Sequence, residues 1–390
     1  MEIEKRFTQI QFFLKKHEKL VNHEVLEMNQ EDLSPYSEWM KELKTFSTKD
    51  LIALEANYNF ENIVTPGFVE YIQTITDLIS LPKLKESKLE IPKNINRKLS
   101  LKKQHELKQI KELIHGDHFF VDIGSGAGHL SSYLISNTLS RSLCLDVEKS
   151  YQDIGKEKLS KYAPEVLDKM EFKTVFVEDD TKLDIPEKSY LLGLHTCGDL
   201  SSHLINIYLN KAELESFLNF GCCYHKLSAN QFNLSTSASF SLNKYSLTLA
   251  AKSFKTLTSK DFLKRKAVKD YRYTLHYLML EKFQDEFTSI GKTHTNDYQG
   301  GFADYVYKYY PKASDISHTE LKLFYEGYQE KVWEIQLFGI IRSLLSRVIE
   351  LYIILDRALY LKEHNIDVDI LECFNKDLSP RNIAIKAKKI

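Results

Sequence analysis

Two short stretches of this chain concentrate side chains that exchange protons or bind soft metals near neutral pH. They are Leu194-His195-Thr196-Cys197-Gly198-Asp199-Leu200-Ser201 and Phe220-Gly221-Cys222-Cys223-Tyr224-His225-Lys226-Leu227-Ser228. Three chemistries suit such residues. In the first, His195, His225 or Asp199 takes a proton from an attacking group, with Tyr224 in the same candidate catalytic set. In the second, His195, Cys197, Cys222, Cys223 and His225 ligate a metal. Adjacent cysteines and a His-x-Cys pair lack the C-x₂-C spacing of structural zinc, so no metal is assigned. In the third, the cysteines simply pack beside Gly221, as buried cysteines commonly do.

A second constellation lies upstream, in Val121-Asp122-Ile123-Gly124-Ser125-Gly126-Ala127-Gly128-His129-Leu130. An apolar run leads into three alternate glycines, where the backbone can turn sharply and a ligand can approach it closely. The spacing is not G-x-G-x-x-G, and no Gly-Lys-Ser/Thr follows, which disfavours a nicotinamide or a P-loop nucleotide. Asp122, placed just before the loop, would repel a pyrophosphate but attract a cation. Asp146 follows at close to the interval of about 20 residues at which an acid meets a ribose diol. A cofactor with an ammonium, a sulfonium and a ribose satisfies both acids, and S-adenosyl-L-methionine is such a molecule. Its expected contacts are Asp122, Gly124, Ser125, Gly126, Gly128 and Asp146. Asp179 or Asp180, with Asp180 preferred, stands where an adenine-edge contact would lie. The competing reading makes Asp146 a helix N-cap and Asp180 a turn residue.

These residues need a scaffold that brings strand ends together. Phe119–Ile123, Ser142–Asp146, Phe172–Val177, Tyr190–His195 and Phe217–Cys222 read as strands separated by amphipathic segments, which predicts βαβ units and a mostly parallel sheet. Chemistry in such sheets sits at the carboxyl ends of the strands. A polar loop spans 228–243, and 255–340 is helical in texture. A long helix is expected over Val332–Leu361. Asp369–Phe374 and Asn382–Lys386, joined by a turn at Asp377-Leu378-Ser379-Pro380, read as a closing β-hairpin. The fold class is therefore α/β, the Rossmann-like class I methyltransferase sheet. The expected organisation is a helical region 1–95, a core 96–255, a helical insertion 256–340 and the end of the core at 341–390.

Together with Lys102-Lys103-Gln104-His105-Glu106, Asp356-Arg357 and Leu378-Ser379-Pro380-Arg381-Asn382, both constellations resemble the methyltransferase-like protein 25 family, which includes proteins labelled ribosomal RNA adenine dimethylase domain-containing. The similarity runs from about Leu99 to the end of the sequence, and the chain departs from it where Asn233 follows Phe232. The two histidine-containing stretches are also similar to those of a family that methylates the ribose 2′-oxygen of tRNA. The resemblance implies S-adenosylmethionine binding and an RNA acceptor. Lys103 and His105 would then reach the cofactor carboxylate, or else form an exposed basic face. The Asn/Asp-Pro-Pro-aromatic stretch of base amino-methylases is missing, as no two prolines are adjacent, so adenine dimethylation is disfavoured.

Composition sets the remaining bounds. A net charge of -1 excludes a globally basic nucleic-acid coat. Residues 83–118 are nevertheless locally basic, with ten Lys/Arg against five Asp/Glu, which is a phosphate-facing surface or a solvated helix face. An odd five cysteines and an amino terminus without an apolar leader point to a reducing, cytoplasmic setting. No apolar run approaches the ~18 residues of a membrane span. The expected partner is a macromolecule, RNA before protein, with neither DNA nor membrane. The contrasting reading is a non-catalytic binding module built on the same fold.

Overall fold

A computed structural model of the chain describes residues 3–252, 256–286 and 290–389. The expected boundary at 255 falls outside the described residues, as do Met1 and Glu2 of the amino-terminal reading. The chain divides into two compact units. The first comprises 1–16, 77–255 and 346–390, and the second 17–76 and 256–345.

In the first unit, seven strands form one sheet: β1 (Phe119–Ile123), β2 (Arg141–Asp146), β3 (Met170–Thr174), β4 (Ser189–Cys197), β5 (Leu214–Cys222), β6 (Asp367–Glu372) and β7 (Ile383–Lys388). Their order is β3-β2-β1-β4-β5-β7-β6. The first five are parallel, and β7 inserts antiparallel between β5 and β6. This is the class I methyltransferase order expected from the strand spacing. β3 begins and ends earlier than the apolar run Phe172–Val177 suggests, because it pairs in register with β2 from Ser142↔Met170 to Asp146↔Thr174.

The central strands are buried on both faces, so they read as continuous apolar runs instead of alternating ones. Phe120, Val121 and Ile123 are fully buried, and side chains of this size stabilise by about 1.5–3 kcal/mol each. The helices that frame the strand ends are α1 (Leu101–Glu112), α2 (His129–Ile135), α3 (Lys149–Tyr162) and α4 (Leu200–Asn210). Ser100 caps α1 by accepting the Lys103 N–H.

The second unit is helical. Its helices α5 (Ser259–Phe283) and α6 (His318–Ser343) pack together. Around them gathers an aromatic core in which Tyr271 meets Tyr298, Phe302, Tyr305 and Tyr325 edge-on.

The single helix expected over Val332–Leu361 is two helices. α6 ends at Ser343, and α7 (Ser346–Glu363) begins after the turn at Leu344–Leu345. The Ser343 hydroxyl donates to the Ile340 carbonyl at 2.8 Å, and the Leu345 N–H reaches back only to Arg342. The Leu344 N–H still donates to Ile340 at 3.3 Å, so the side-chain bond shares that carbonyl with the helical ladder and competes with it. No proline marks the break, and Ile341, Leu344, Leu345 and Val348 continue at helical spacing across it, so periodicity runs through it. α7 is buried along nearly its whole length, with Tyr352 stacked on Phe7 at 5.0 Å.

Candidate functional site

The loop after β1 carries Gly124, Gly126 and Gly128 at φ of +73°, +54° and +69°, values an L side chain rarely adopts. At Gly128 a Cβ would also stand 2.8 Å from Met170 Cε. At Gly126 a Cβ would meet nothing within 4 Å, so that side of the loop is open for a ligand to approach the backbone. The loop is tied down on its inner side, where the Gly124 and Ser125 N–H groups donate to the Leu145 carbonyl.

Asp122 and Asp146 flank this loop in different ways. Asp122 is buried and accepts the Ser131 hydroxyl at 2.8 Å, and burial pushes its carboxyl up to about 6. Asp146 is half-buried at the end of β2. It accepts the Gly126 N–H at 2.7 Å and the Glu148 N–H at 2.8 Å. The N-cap of α3 is Glu148, which accepts the Ser150 N–H; Asp146 serves the loop instead. The charge of Lys103 favours the ionised form of Asp122, against the larger effect of its burial. Burial, the charge of Lys158 and that of Lys103 together pull His129 down to about 4. His105 points elsewhere: it is buried, accepts the Asn375 N–H at 2.8 Å and lies 3.2 Å from Glu86. After β3, Asp179 is held by His203 and Asn206 of α4 at 2.6 and 2.8 Å, while Asp180 is exposed.

Three left-handed residues build the ends of β4 and β5: His195 at φ +63°, Gly198 at +57° and Cys223 at +52°. His195 sits where the β4–β5 register shifts, an irregularity that turns its side chain out of the strand's alternation. Non-glycine residues held in this region cost about 1–3 kcal/mol each and collect at functional sites.

The His195 ring meets a group that sequence reasoning left without a role. Its Nε2 lies 2.7 Å from Glu106 Oε1, which also accepts the Ser379 hydroxyl at 2.7 Å, and Lys103 Nζ stands 3.2 Å from Oε2. Glu106 is fully buried. Burial raises its carboxyl, but the bonds from His195 and Ser379 and the Lys103 charge outweigh burial and bring it down to about 2. An ionised carboxylate only accepts, so His195 Nε2 carries the donated proton, which leaves Nδ1 as the acceptor of the neutral ring. One signal for Glu106 existed. It occupies the apolar stripe of α1, which continues through Ile110 and Leu113, and a glutamate there calls for a buried partner.

The other candidates are arranged around this pair. Asp199 accepts both the N–H and the hydroxyl of Ser228, at 2.8 and 2.7 Å. His225 is exposed. Tyr224 is buried, its hydroxyl 3.3 Å from Glu350 Oε1, and burial pushes its phenol well above the ordinary range. Glu350 belongs to a buried ion cluster with Arg347 and Arg381, both at 2.8 Å; through it Tyr224 anchors the end of β5 to α7 and the loop before β7. The thiols of Cys197, Cys222 and Cys223 converge. The Cys222 thiol, donating to Cys197, helps pull Cys197 down to about 5, and Cys222 is pushed up in return.

A family model described as a methyltransferase domain matches residues 99–230. The chain is 28% identical over 247 residues to probable methyltransferase-like protein 25 of Mus musculus and 26% identical over 245 residues to that of Homo sapiens. Each match takes in 55% of this chain and 40% of the relative, so the chain spans less than half the length of these curated relatives. Among solved structures, M. capricolum TrmK in complex with S-adenosyl-homocysteine shares 17% identity, with 63% of this chain and 98% of that one covered at a TM-score of 0.26. Residues 99–230 thus match a methyltransferase-domain model, they lie on a sheet of class I methyltransferase strand order, and the chain they belong to resembles methyltransferase-like protein 25.

Proposed function

We propose that this chain is an S-adenosylmethionine-dependent methyltransferase acting on a hydroxyl of RNA, the ribose 2′-oxygen. The observation that carries the reading is the buried, ionised Glu106 hydrogen-bonded to His195 at the end of β4. A hydroxyl acceptor must shed a proton as it attacks, whereas an amine with a free lone pair need not. Glu106 sets the tautomer of His195 and stabilises the imidazolium, the part a carboxylate plays in hydrolytic triads. His195 Nδ1 is then the proton acceptor, and His225 is the other candidate base.

The glycine loop and its two acids suit the cofactor. Asp122, Gly124, Ser125, Gly126, Gly128 and Asp146 would hold it, with Lys103 toward its carboxylate and Asp180 at the adenine edge. Bound there, it supplies a methyl group on a positively charged sulfur. Asp146 can accept two hydroxyl hydrogens of a ribose, and bonds to a charged acceptor are worth about 1.5–3 kcal/mol each. RNA is favoured as acceptor because Lys85, Lys88, Lys93, Lys98 and Lys102 of the basic segment are exposed. Among the described residues no helix is long and apolar enough to cross a membrane.

Calorimetry with S-adenosylmethionine and its demethylated product tests the cofactor. Labelled methyl transfer into total RNA and total protein, followed by mass spectrometry of nucleosides, tests the acceptor. A 2′-O-methylnucleoside that disappears with His195→Ala or Glu106→Gln is the expected result. Label in protein alone would overturn the RNA reading. Cofactor binding with no transfer to either fraction would make the chain a binding module.

A further inference from the structure

The cysteines at the ends of β4 and β5 form a group that methyl transfer does not use. Cys197 and Cys222 are register partners at the ends of adjacent parallel strands, and Cys223 follows in a left-handed conformation. This conformation lets Cys223, just past β5, face the same neighbour as Cys222, which an extended strand forbids because its side chains alternate. Their sulfurs lie 3.0 Å (Cys197–Cys222), 3.2 Å (Cys197–Cys223) and 3.6 Å (Cys222–Cys223) apart. The Cys197 and Cys222 sulfurs also approach the His195 carbonyl, at 3.5 and 3.3 Å.

We propose that Cys197, Cys222 and Cys223 are the three protein ligands of a thiophilic divalent ion of the zinc class. Three sulfurs this close are poor hydrogen-bond partners as thiols and repel one another as thiolates, and one shared cation answers both problems. The dimensions suit it. A point about 2.3 Å from each sulfur, the usual Zn–S distance, lies roughly 1.3 Å off the plane of a triangle with these sides. That is a steeper pyramid than a regular tetrahedral site, whose sulfurs stand about 3.8 Å apart, so the three sulfurs would spread by less than about 1 Å on binding, with the fourth position unfilled by protein. Cys222 is buried and Cys197 exposed, so the site has an inner wall and an open outer side. Lys226 adds a positive charge near Cys197 and Cys223, which partly offsets the negative charge of three thiolates on one divalent ion. On binding, the thiols release the protons they still hold and three metal–sulfur bonds form, with no change of oxidation state.

The ion would tie the end of β4 to the end of β5 one residue beyond Thr196, and so hold the left-handed turn at His195. The inference stands apart from the methyltransferase reading, since metal content can be measured without any substrate. The full chain is purified under reducing conditions with Zn²⁺ supplied, dialysed, and its zinc measured by mass spectrometry. Affinity is read by competition with a chromophoric chelator, and Co²⁺ replacement reports thiolate ligation through its charge-transfer absorption. One zinc per chain is expected, with a cobalt–thiolate band. Cys197→Ser, at an exposed position that leaves folding intact by circular dichroism, should weaken zinc binding by at least about 100-fold. Cys373→Ala, outside the cluster, should retain one zinc per chain. A folded, reduced wild-type chain that keeps no zinc would overturn the proposal. So would undiminished zinc in Cys197→Ser and Cys222→Ser, or a mass two hydrogens short that reveals a disulfide within the cluster.

Discussion

The two ends of the sheet's carboxyl edge are built from different materials. At the β1–β2 end the surface is backbone: three glycines in left-handed conformations, with one buried and one half-buried carboxylate beside them. At the β4–β5 end it is side chains, carried on residues whose own backbone is left-handed, His195 and Cys223. The first end bears its cost as a buried charge, Asp122, which folding alone disfavours. The second bears its cost as backbone strain and a fully buried glutamate, offset by His195, Ser379 and Lys103. A surface meant to hold a cation can stay under-satisfied until its ligand arrives. At the β4–β5 end the imidazole is already oriented, since Glu106 accepts from both His195 and Ser379.

If this division of labour is right, substitutions at the two ends should separate binding from turnover. The largest effect is expected at the β4–β5 end. His195→Ala and Glu106→Gln should each lower kcat by about 10²–10⁴-fold while calorimetric cofactor affinity stays within a factor of about three. Loss of cofactor affinity in Glu106→Gln would break the comparison. Asp146→Ala comes next. It should weaken cofactor binding by about 10–100-fold, as one or two charge-assisted bonds are lost, with the kcat of saturated enzyme much less changed.

Asp122→Asn gives a smaller effect of unusual sign. Its carboxyl lies near 6 when folded, against an ordinary value of 3.8. The folded state therefore holds its proton more tightly, and the stability this confers is lost as pH rises through about 6. The neutral amide should make the unliganded protein more stable than wild type at pH 8, by about 1–3 kcal/mol. The gain should vanish below about pH 4 in thermal melts, and cofactor affinity should fall. Glu106 runs the other way. Its folded value near 2 lies below the ordinary 4.5, so its contribution is present above about 4.5 and lost as pH falls toward 2. Acid unfolding of Glu106→Gln should accordingly be flatter over that window. The smallest effect is expected from Lys85→Glu with Lys88→Glu, which should weaken RNA binding several-fold and reduce its salt dependence. The cofactor site should be untouched.

Much of this molecule was legible before its structure. Strand spacing, the glycine loop and the interval from Asp122 to Asp146 sit in contiguous sequence, so the sheet and one end of its edge could be read directly. Other readings changed once packing was known. Tyr224 looked like a neighbour of His225, yet it is turned inward onto Glu350. The long helix after Val332 broke at Leu344–Leu345, where apolar periodicity continues without a signal. Glu106 stood in a quoted motif without a role, because its partners are 89 and 273 residues away.

Amino-acid order alone established the α/β class, the strand succession and the glycine loop after β1, since periodicity and turn chemistry act over a few residues. Packing alone settled which groups meet. The pairing of Glu106 with His195, the bond from Ser379 to Glu106, and the gathering of Cys197 with Cys222 and Cys223 all depend on β4 lying beside β5 and on α1 reaching its end. Contacts across such distances follow from strand register and burial, which no local pattern encodes.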